Sequence, residues 1–289
     1  MTIIRFARPL ELIFAALTYL LGIAMADYLG KASSLATGLA GGAAVLFALA
    51  ASNLLSAYFV PFNEPLIPDE TVRQRAELRP TLMVIAAGLL TVAAFMVILL
   101  GWQGALSLEV TFLLVVFTLL CIAIGVPPVR LAGRGYGEIA SALSMAAFLP
   151  ALGFALQAGG FHRLVNAVTF PLFLIALTTF LALDFPGFAE DVKYERRTLL
   201  TRLGWQRAIP LHNAVLAAAY VLFAAAPFFG LPFSLFWPSL LTIPLAGYQI
   251  FMLRNIGEGV RPLWNALAIN AAAIFGLTTY LLTLTFWLR

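Results

Sequence analysis

ASSLATGLAGGAAVLFALAASNLLSAYFVPFN, residues 32–63, contains no charged side chain, and neither does PTLMVIAAGLLTVAAFMVILLGWQGALS, residues 80–107. Each run exceeds the ~20 residues that a helix needs to cross the ~30 Å hydrocarbon core of a bilayer. Lipid offers no water to satisfy backbone N–H and C=O groups, so such runs form helices, whose hydrogen bonds stay within the segment. A membrane β-barrel would instead show alternating segments of about ten residues, and none is present. The whole chain agrees with this reading. Of its 289 residues, 62% are hydrophobic and only 10% charged, and the mean hydropathy is +0.98. A soluble domain of this length would need far more charge to cover its surface.

Working outward, apolar stretches bounded by charges, prolines and glycines predict nine spans in one all-α domain covering residues 1–289. They are Leu10–Leu29, Leu35–Phe59, Leu82–Leu100, Val110–Val126, Ile139–Leu156, Leu164–Leu183, Leu211–Phe229, Leu231–Leu253 and Leu263–Trp287. Only Gly230 and nearby prolines separate the seventh from the eighth. With the spans placed, 14 of the 17 Lys and Arg fall on one side. These are Arg5, Arg8, Arg73, Arg75, Arg79, Arg130, Arg134, Lys193, Arg196, Arg197, Arg202, Arg207, Arg254 and Arg261; Lys31, Arg163 and Arg289 lie opposite. Basic loops stay cytoplasmic. The amino terminus is therefore expected inside and the carboxyl terminus outside, in the cell's inner or plasma membrane, and an odd number of spans follows.

Acids share the bias. Glu64, Asp69, Glu70, Glu77, Glu138, Asp184, Glu190, Asp191, Glu195 and Glu258 all fall on the basic side. The positive-inside rule does not require that, so a polar site assembled at the ends of spans two, four, six and eight is the sharper reading. The pI near 9.5 is explained by topology and calls for no nucleic acid. No removable signal is read at the amino terminus. The single cysteine, Cys121, lies in an apolar run and is read as a packing residue.

The richest segment runs Asp184-Phe-Pro-Gly-Phe-Ala-Glu-Asp191-Val-Lys193-Tyr-Glu-Arg-Arg197-Thr198-Leu-Leu-Thr-Arg202-Leu-Gly204. On a continuous helix Asp184 and Asp191 would share one face, two turns or about 10 Å apart. Carboxylates at a membrane mouth, with Lys and Arg close behind, suit the binding of Mg²⁺ and of a diphosphate. An ordinary solvated loop would carry similar charges. Asp184, however, follows directly on apolar residues, where an unpaired acid is costly.

This segment resembles the second aspartate-rich motif of the UbiA superfamily of intramembrane prenyltransferases. Asp184 and Asp191 match the motif's outer acids, and Arg197-Thr198-Leu199 with Arg202-Leu203-Gly204 match its tail; Gly187 stands for the middle aspartate and Leu200 for a proline. A second resemblance is the loop Pro127-Pro128-Val-Arg130-Leu-Ala-Gly-Arg134-Gly135-Tyr-Gly137-Glu138, similar to the menaquinone (dihydroxynaphthoate polyprenyltransferase) branch. Arg130 and Arg134 there are either phosphate contacts or plain topogenic arginines, and Glu138 is consistent with a helix-start charge. Arg8-Pro9 and Gly259-x-Arg261-Pro262-x-Trp264 extend the likeness to both ends.

The first aspartate-rich motif is degenerate. Asn53 fits its leading asparagine, and Asn63-Glu64-Pro65-Leu66 echoes the following loop, but Leu54, Ala57 and Pro61 stand where aspartates are expected. Asn53 and Asp184 both end even-numbered spans, which suggests two related halves. The resemblance implies a UbiA-type bundle with a cytoplasmic polar cap and Mg²⁺-dependent transfer of a polyprenyl group. The donor would be a polyprenyl diphosphate and the acceptor an aromatic, quinone- or naphthoate-type ring. It implies Asp184 and Asp191 as catalytic metal ligands, Asn53 and Glu64 as a weaker second set, and Lys193, Arg197, Arg130 and Arg134 as diphosphate contacts. The eroded motif keeps a silent prenyl-lipid-binding relative open, and more remotely a small-anion carrier. His162 and His212, without spaced partners, are read as structural, and Gly38, Gly41 and Gly42 as helix-packing positions.

Overall fold

The structure is a computed structural model describing all residues except Met1, Ala32, Ser33, Phe62, Asn63, Pro68, Asp69 and Glu70. Among the described residues nine helices are long and apolar enough to cross a membrane. They are α1 (Pro9–Tyr28), α2 (Leu35–Tyr58), α3 (Val72–Trp102), α4 (Leu108–Gly125), α5 (Gly137–Ala158), α6 (Arg163–Asp184), α7 (Trp205–Ala224), α8 (Phe233–Gly257) and α9 (Trp264–Trp287). No strand is formed among them.

Side-chain caps set several starts. Ser34 accepts from Thr37 N, Ser107 from Val110 N, and His162 Nδ1 from Leu164 N. His162 is thus a helix cap. Helix α3 begins at Val72, well before the predicted Leu82, because hydropathy marks where lipid begins and not where a helix begins. A reciprocal Thr71–Gln74 capping box starts it in the polar zone, and Arg73 pairs with Glu77 one turn on at 3.0 Å. Pro80 lies inside this helix, and Pro210 inside α7, which starts at Trp205 and not at Leu211. Helix α7 ends at Ala224, short of the predicted Phe229, since residues 226–229 wind as a 3₁₀ turn closed by Gly230 at φ 72°.

Helices α5 and α6 are the most enclosed by the rest of the protein and α3 the least. Helix α1 packs on α5 and α9, α2 on α3, and α6 on α7 and α9. Two glycines bring α1 and α5 backbone to backbone. A Cβ on Gly22 would overlap the Pro150 carbonyl and lie 2.8 Å from Phe154 N, and one on Gly153 would overlap the Tyr19 carbonyl. Close approach through small residues is how helices associate where lipid is as apolar as the side chains. Gly41 and Gly42 make room in the same way for the ring of Tyr19, whose hydroxyl donates to Gly38 O at 2.9 Å. In the second half, Tyr220, Thr242 and Thr278 join α7, α8 and α9 through 2.8 Å hydrogen bonds, and Asn270 donates to Gln249 at 2.7 Å. Cys121 is buried in the core, and so is His212.

Candidate active site

Three of the four even-numbered helices deliver their polar ends to one mouth; the end of α8, expected there as well, contributes no lining residue. The α2 end brings Ser56 and, just beyond it, Glu64; the α4 end brings Gly125 and the Arg130 loop; the α6 end brings Asp184. With the starts of α1 and α5 they enclose a cavity of about 790 Å³, within the range of small-molecule sites. Its floor is apolar (Phe14, Ile124, Phe180, Leu183) and its walls carry Arg8, Glu11, Glu138, Asp191 and Arg196 among other polar groups.

The segment from Asp184 to Gly204 forms the roof. Asp184 ends α6, and Phe185–Gly187 turns as a 3₁₀ helix before Phe188–Lys193 resumes the α form. The two acids therefore do not sit on one uninterrupted α-helix; Pro186, without an N–H, falls within the turn. Thr198 caps the short helix Leu199–Leu203 by accepting from Thr201 N. Phe185 and Phe188 of this segment meet Trp205, and Trp205 meets Trp264, in tilted or edge-on ring contacts with centroids 5.4–6.1 Å apart, which fixes the roof to α7 and α9.

Arg196 is the central cation. Its Nε donates to Glu64 at 2.8 Å and its Nη1 to Asp191 at 3.2 Å. Burial by itself would lower this guanidinium's pKa, but the hydrogen bonds and charges of Glu64 and Asp191 outweigh that and raise it. Arg8 pairs with Glu11 at 3.0 Å. Glu138 Oε1 accepts from Leu199 N at 2.6 Å, whereas Oε2 is buried without a partner. The Asp184 carboxyl lies within hydrogen-bonding reach of Glu138, a contact two ionised acids cannot satisfy between themselves. The described non-glycine residues in the left-handed backbone region are Arg8 (φ 52°), Arg130 (φ 41°) and Glu195 (φ 54°), and all three line this cavity. Such strain persists where surrounding structure enforces it, and it clusters at functional sites.

Of the residues expected from sequence, Asp184, Asp191, Glu64, Arg130 and Arg197 line the cavity. Asn53, Lys193 and Arg134 are not among its lining residues. Asn53 donates to Ala7 O at 3.1 Å and to Glu11 at 3.2 Å. Lys193 sits 5.2 Å from the Tyr194 ring centroid, and Arg134 donates to Pro128 O at 2.9 Å. Asn63 lies outside the described residues. Among the described residues no group of three or more His, Cys, Asp or Glu is placed to hold a metal. Sequence reasoning passed over Arg196 and treated Glu138 as a helix-start charge. The signal for Arg196 was Glu64, an acid in the loop after an apolar span whose burial calls for a basic partner.

No protein-family model and no curated protein matches this sequence. Solved structures do match it along its whole length. A UbiA homolog from Archaeoglobus fulgidus bound to GPP and Mg²⁺ superposes with a TM-score of 0.63 at 15% identity, covering 98% of this chain and 99% of that one. The chain has the fold of the UbiA homologues. A UbiA homolog from Aeropyrum pernix K1 gives 0.58 at 15% identity over 92% and 96% of the two chains. Digeranylgeranylglyceryl phosphate synthase gives 0.58 at 13% over 100% and 98%. Within this UbiA fold the cavity is the place where acids and arginines of distant segments meet.

Proposed function

We propose that the chain transfers a prenyl group from an allylic prenyl diphosphate to an aromatic acceptor, with a naphthoate-type ring as the first acceptor to test. The observation that carries this is the make-up of the cavity, with arginines and carboxylates at its mouth over a floor of Phe14, Ile124, Phe180 and Leu183. A charged head and an apolar tail match that division. The A. fulgidus homologue binds GPP and DMAPP with Mg²⁺, and the Arg130–Glu138 loop and the Arg261-Pro262-x-Trp264 ending support the naphthoate branch.

The donors suit Mg²⁺. Hard oxygen ligands are present, the buried Glu138 Oε2 lacks a partner, and Asp184 adjoins it. Mg²⁺ commonly takes one or two carboxylates and fills its shell with water and substrate phosphate, so a cage of three acids is not required. Of the two acids by which the resemblance would hold it, Asp184 and Asp191, the second is engaged by Arg196. Bound in the cavity, Mg²⁺ neutralises charge on the departing diphosphate.

The chain's own groups do the rest. Arg130 and Arg197 place fixed positive charge beside the diphosphate oxygens as the C–O bond breaks. Phe14 and Phe180 hold the allylic carbon in an apolar, water-poor environment, which keeps solvent from capturing the developing cation. The acceptor ring forms the new C–C bond and releases a ring proton. With fourteen basic residues on the mouth's side, that side is the cytoplasmic one.

A second reading, a prenyl-lipid binder without transfer, is favoured by one observation: Arg196 already occupies Glu64 and Asp191. Membranes containing the protein, given a prenyl diphosphate, Mg²⁺ and a panel of aromatic acceptors, separate the two. Transfer predicts a prenylated acceptor that disappears with EDTA. Tight, Mg²⁺-independent prenyl-lipid binding with no product supports the binder.

A further inference from the structure

We propose that the cavity takes one divalent cation, held by Glu138 and Asp184, and that Arg196 does the work of a second cation between Glu64 and Asp191. The inference rests on reading the cavity as a diphosphate site.

Its basis is a charge inventory of the lining acids. Glu11 has Arg8 at 3.0 Å and Asn53 at 3.2 Å. Glu64 and Asp191 share Arg196. Glu195 also lines the cavity but is exposed to solvent. Glu138 and Asp184 remain, and no ion pair among the described residues reaches either; Arg8, already paired with Glu11, acts on Asp184 only from beyond ion-pair distance. Glu138 is only 6% exposed, and its Oε2 has no hydrogen-bond partner. Two adjoining carboxylates in such a place repel unless a cation or a proton lies between them. A hard cation answers both the repulsion and the orphaned oxygen, whereas a proton shared by the two carboxyls would leave the protein binding no Mn²⁺ here.

The Arg196 half follows from where the conventional ligands went. Positions 54, 57 and 61, where the resembling motif carries acids, are Leu, Ala and Pro. The acid that remains on that side, Glu64, is 5% exposed and held to Asp191 by the guanidinium. A planar group with fixed donors can bridge two carboxylates and stay charged at any working pH. A second metal there would have to displace it.

The test counts Mn²⁺, whose free EPR signal is lost on binding, against purified protein in detergent. Wild type should bind one ion per chain. Asp184→Asn and Glu138→Gln should each weaken binding at least tenfold; in Glu138→Gln the side-chain amide oxygen would still accept from Leu199 N. Arg196→Gln, which frees Glu64 and Asp191, should bind two. Two ions in wild type, or one in Arg196→Gln, would overturn the Arg196 assignment. Weakening by Asp184→Asn but not by Glu138→Gln would overturn the Glu138 assignment and leave prenyl transfer standing. A wild type that binds no Mn²⁺ up to millimolar concentration overturns the inference, whereas the prenyl-transfer reading falls only if membranes also form no product. The wild-type count decides even if a variant fails to fold.

Discussion

Replacing Arg196 with glutamine removes the two ion pairs that tie the loop after α2 to the roof of the cavity at Asp191. The acids it joins are nearly enclosed, with side chains 7% and 10% exposed, while Arg196 itself is 34% exposed. Breaking a fully buried pair costs about 3–5 kcal/mol, and breaking an exposed one about 0–1 kcal/mol. A guanidinium about one-third exposed, between two enclosed carboxylates, falls between these, at about 2 kcal/mol. For a chain of this size that corresponds to a fall in thermal midpoint of about 3 °C. Thermal unfolding in detergent, followed by intrinsic tryptophan fluorescence, measures it. Mg²⁺ offers a further check, because an ion at about ten times its dissociation constant adds about 1.4 kcal/mol. It should raise the midpoint of Arg196→Gln more than that of wild type, since only the variant has vacated carboxylates at Glu64 and Asp191. An unchanged midpoint, or an equal Mg²⁺ effect on both proteins, would refute the bridging role.

Other expectations are independent of this one. Gly22→Ala forces a methyl into the Pro150 backbone and should cost about 1–3 kcal/mol through overpacking. Gly88→Ala, with nothing within 4 Å of its new Cβ, should be neutral or gain up to ~1 kcal/mol from helix propensity; equal effects in the same melt would refute the α1–α5 contact. Asn53→Ala removes two hydrogen bonds to Ala7 and Glu11 and should lower stability by about 1–2 kcal/mol while the Mn²⁺ count stays unchanged. A changed count would place Asn53 among the ligands. For topology, Cys121 is buried, so added cysteines can be read over a low background. Arg289→Cys should react with an impermeant thiol reagent in intact cells and Arg5→Cys only after permeabilisation; the reverse pattern would invert the orientation.

The bundle was legible because a single physical rule, backbone satisfaction in lipid, acts on every long apolar run. It misplaced the start of α3, since capping by Thr71 and Gln74 is local chemistry that a hydropathy window averages away. The mouth was legible in outline through one-sided acids, which topology alone does not explain. Pairings within it were not. Arg196 and Arg197 are neighbours in the chain, and only the fold shows that Arg196 reaches back to Glu64. Glu138 read as a helix-start charge because its contact with Asp184 joins residues from two helices. Asp184 and Asp191 do line one cavity, but the helical path between them tightens to a 3₁₀ turn at Pro186, which residue spacing alone does not reveal.

Prenyl transfer itself is tested most directly by following a radiolabelled prenyl diphosphate in membranes supplied with Mg²⁺ and a naphthoate acceptor. Wild type should move the label into the acceptor and release diphosphate in equal amount, and Asp184→Asn should slow this by at least a hundredfold while the protein remains folded. Undiminished transfer by Asp184→Asn, or no transfer by wild type to any aromatic acceptor, would contradict the account.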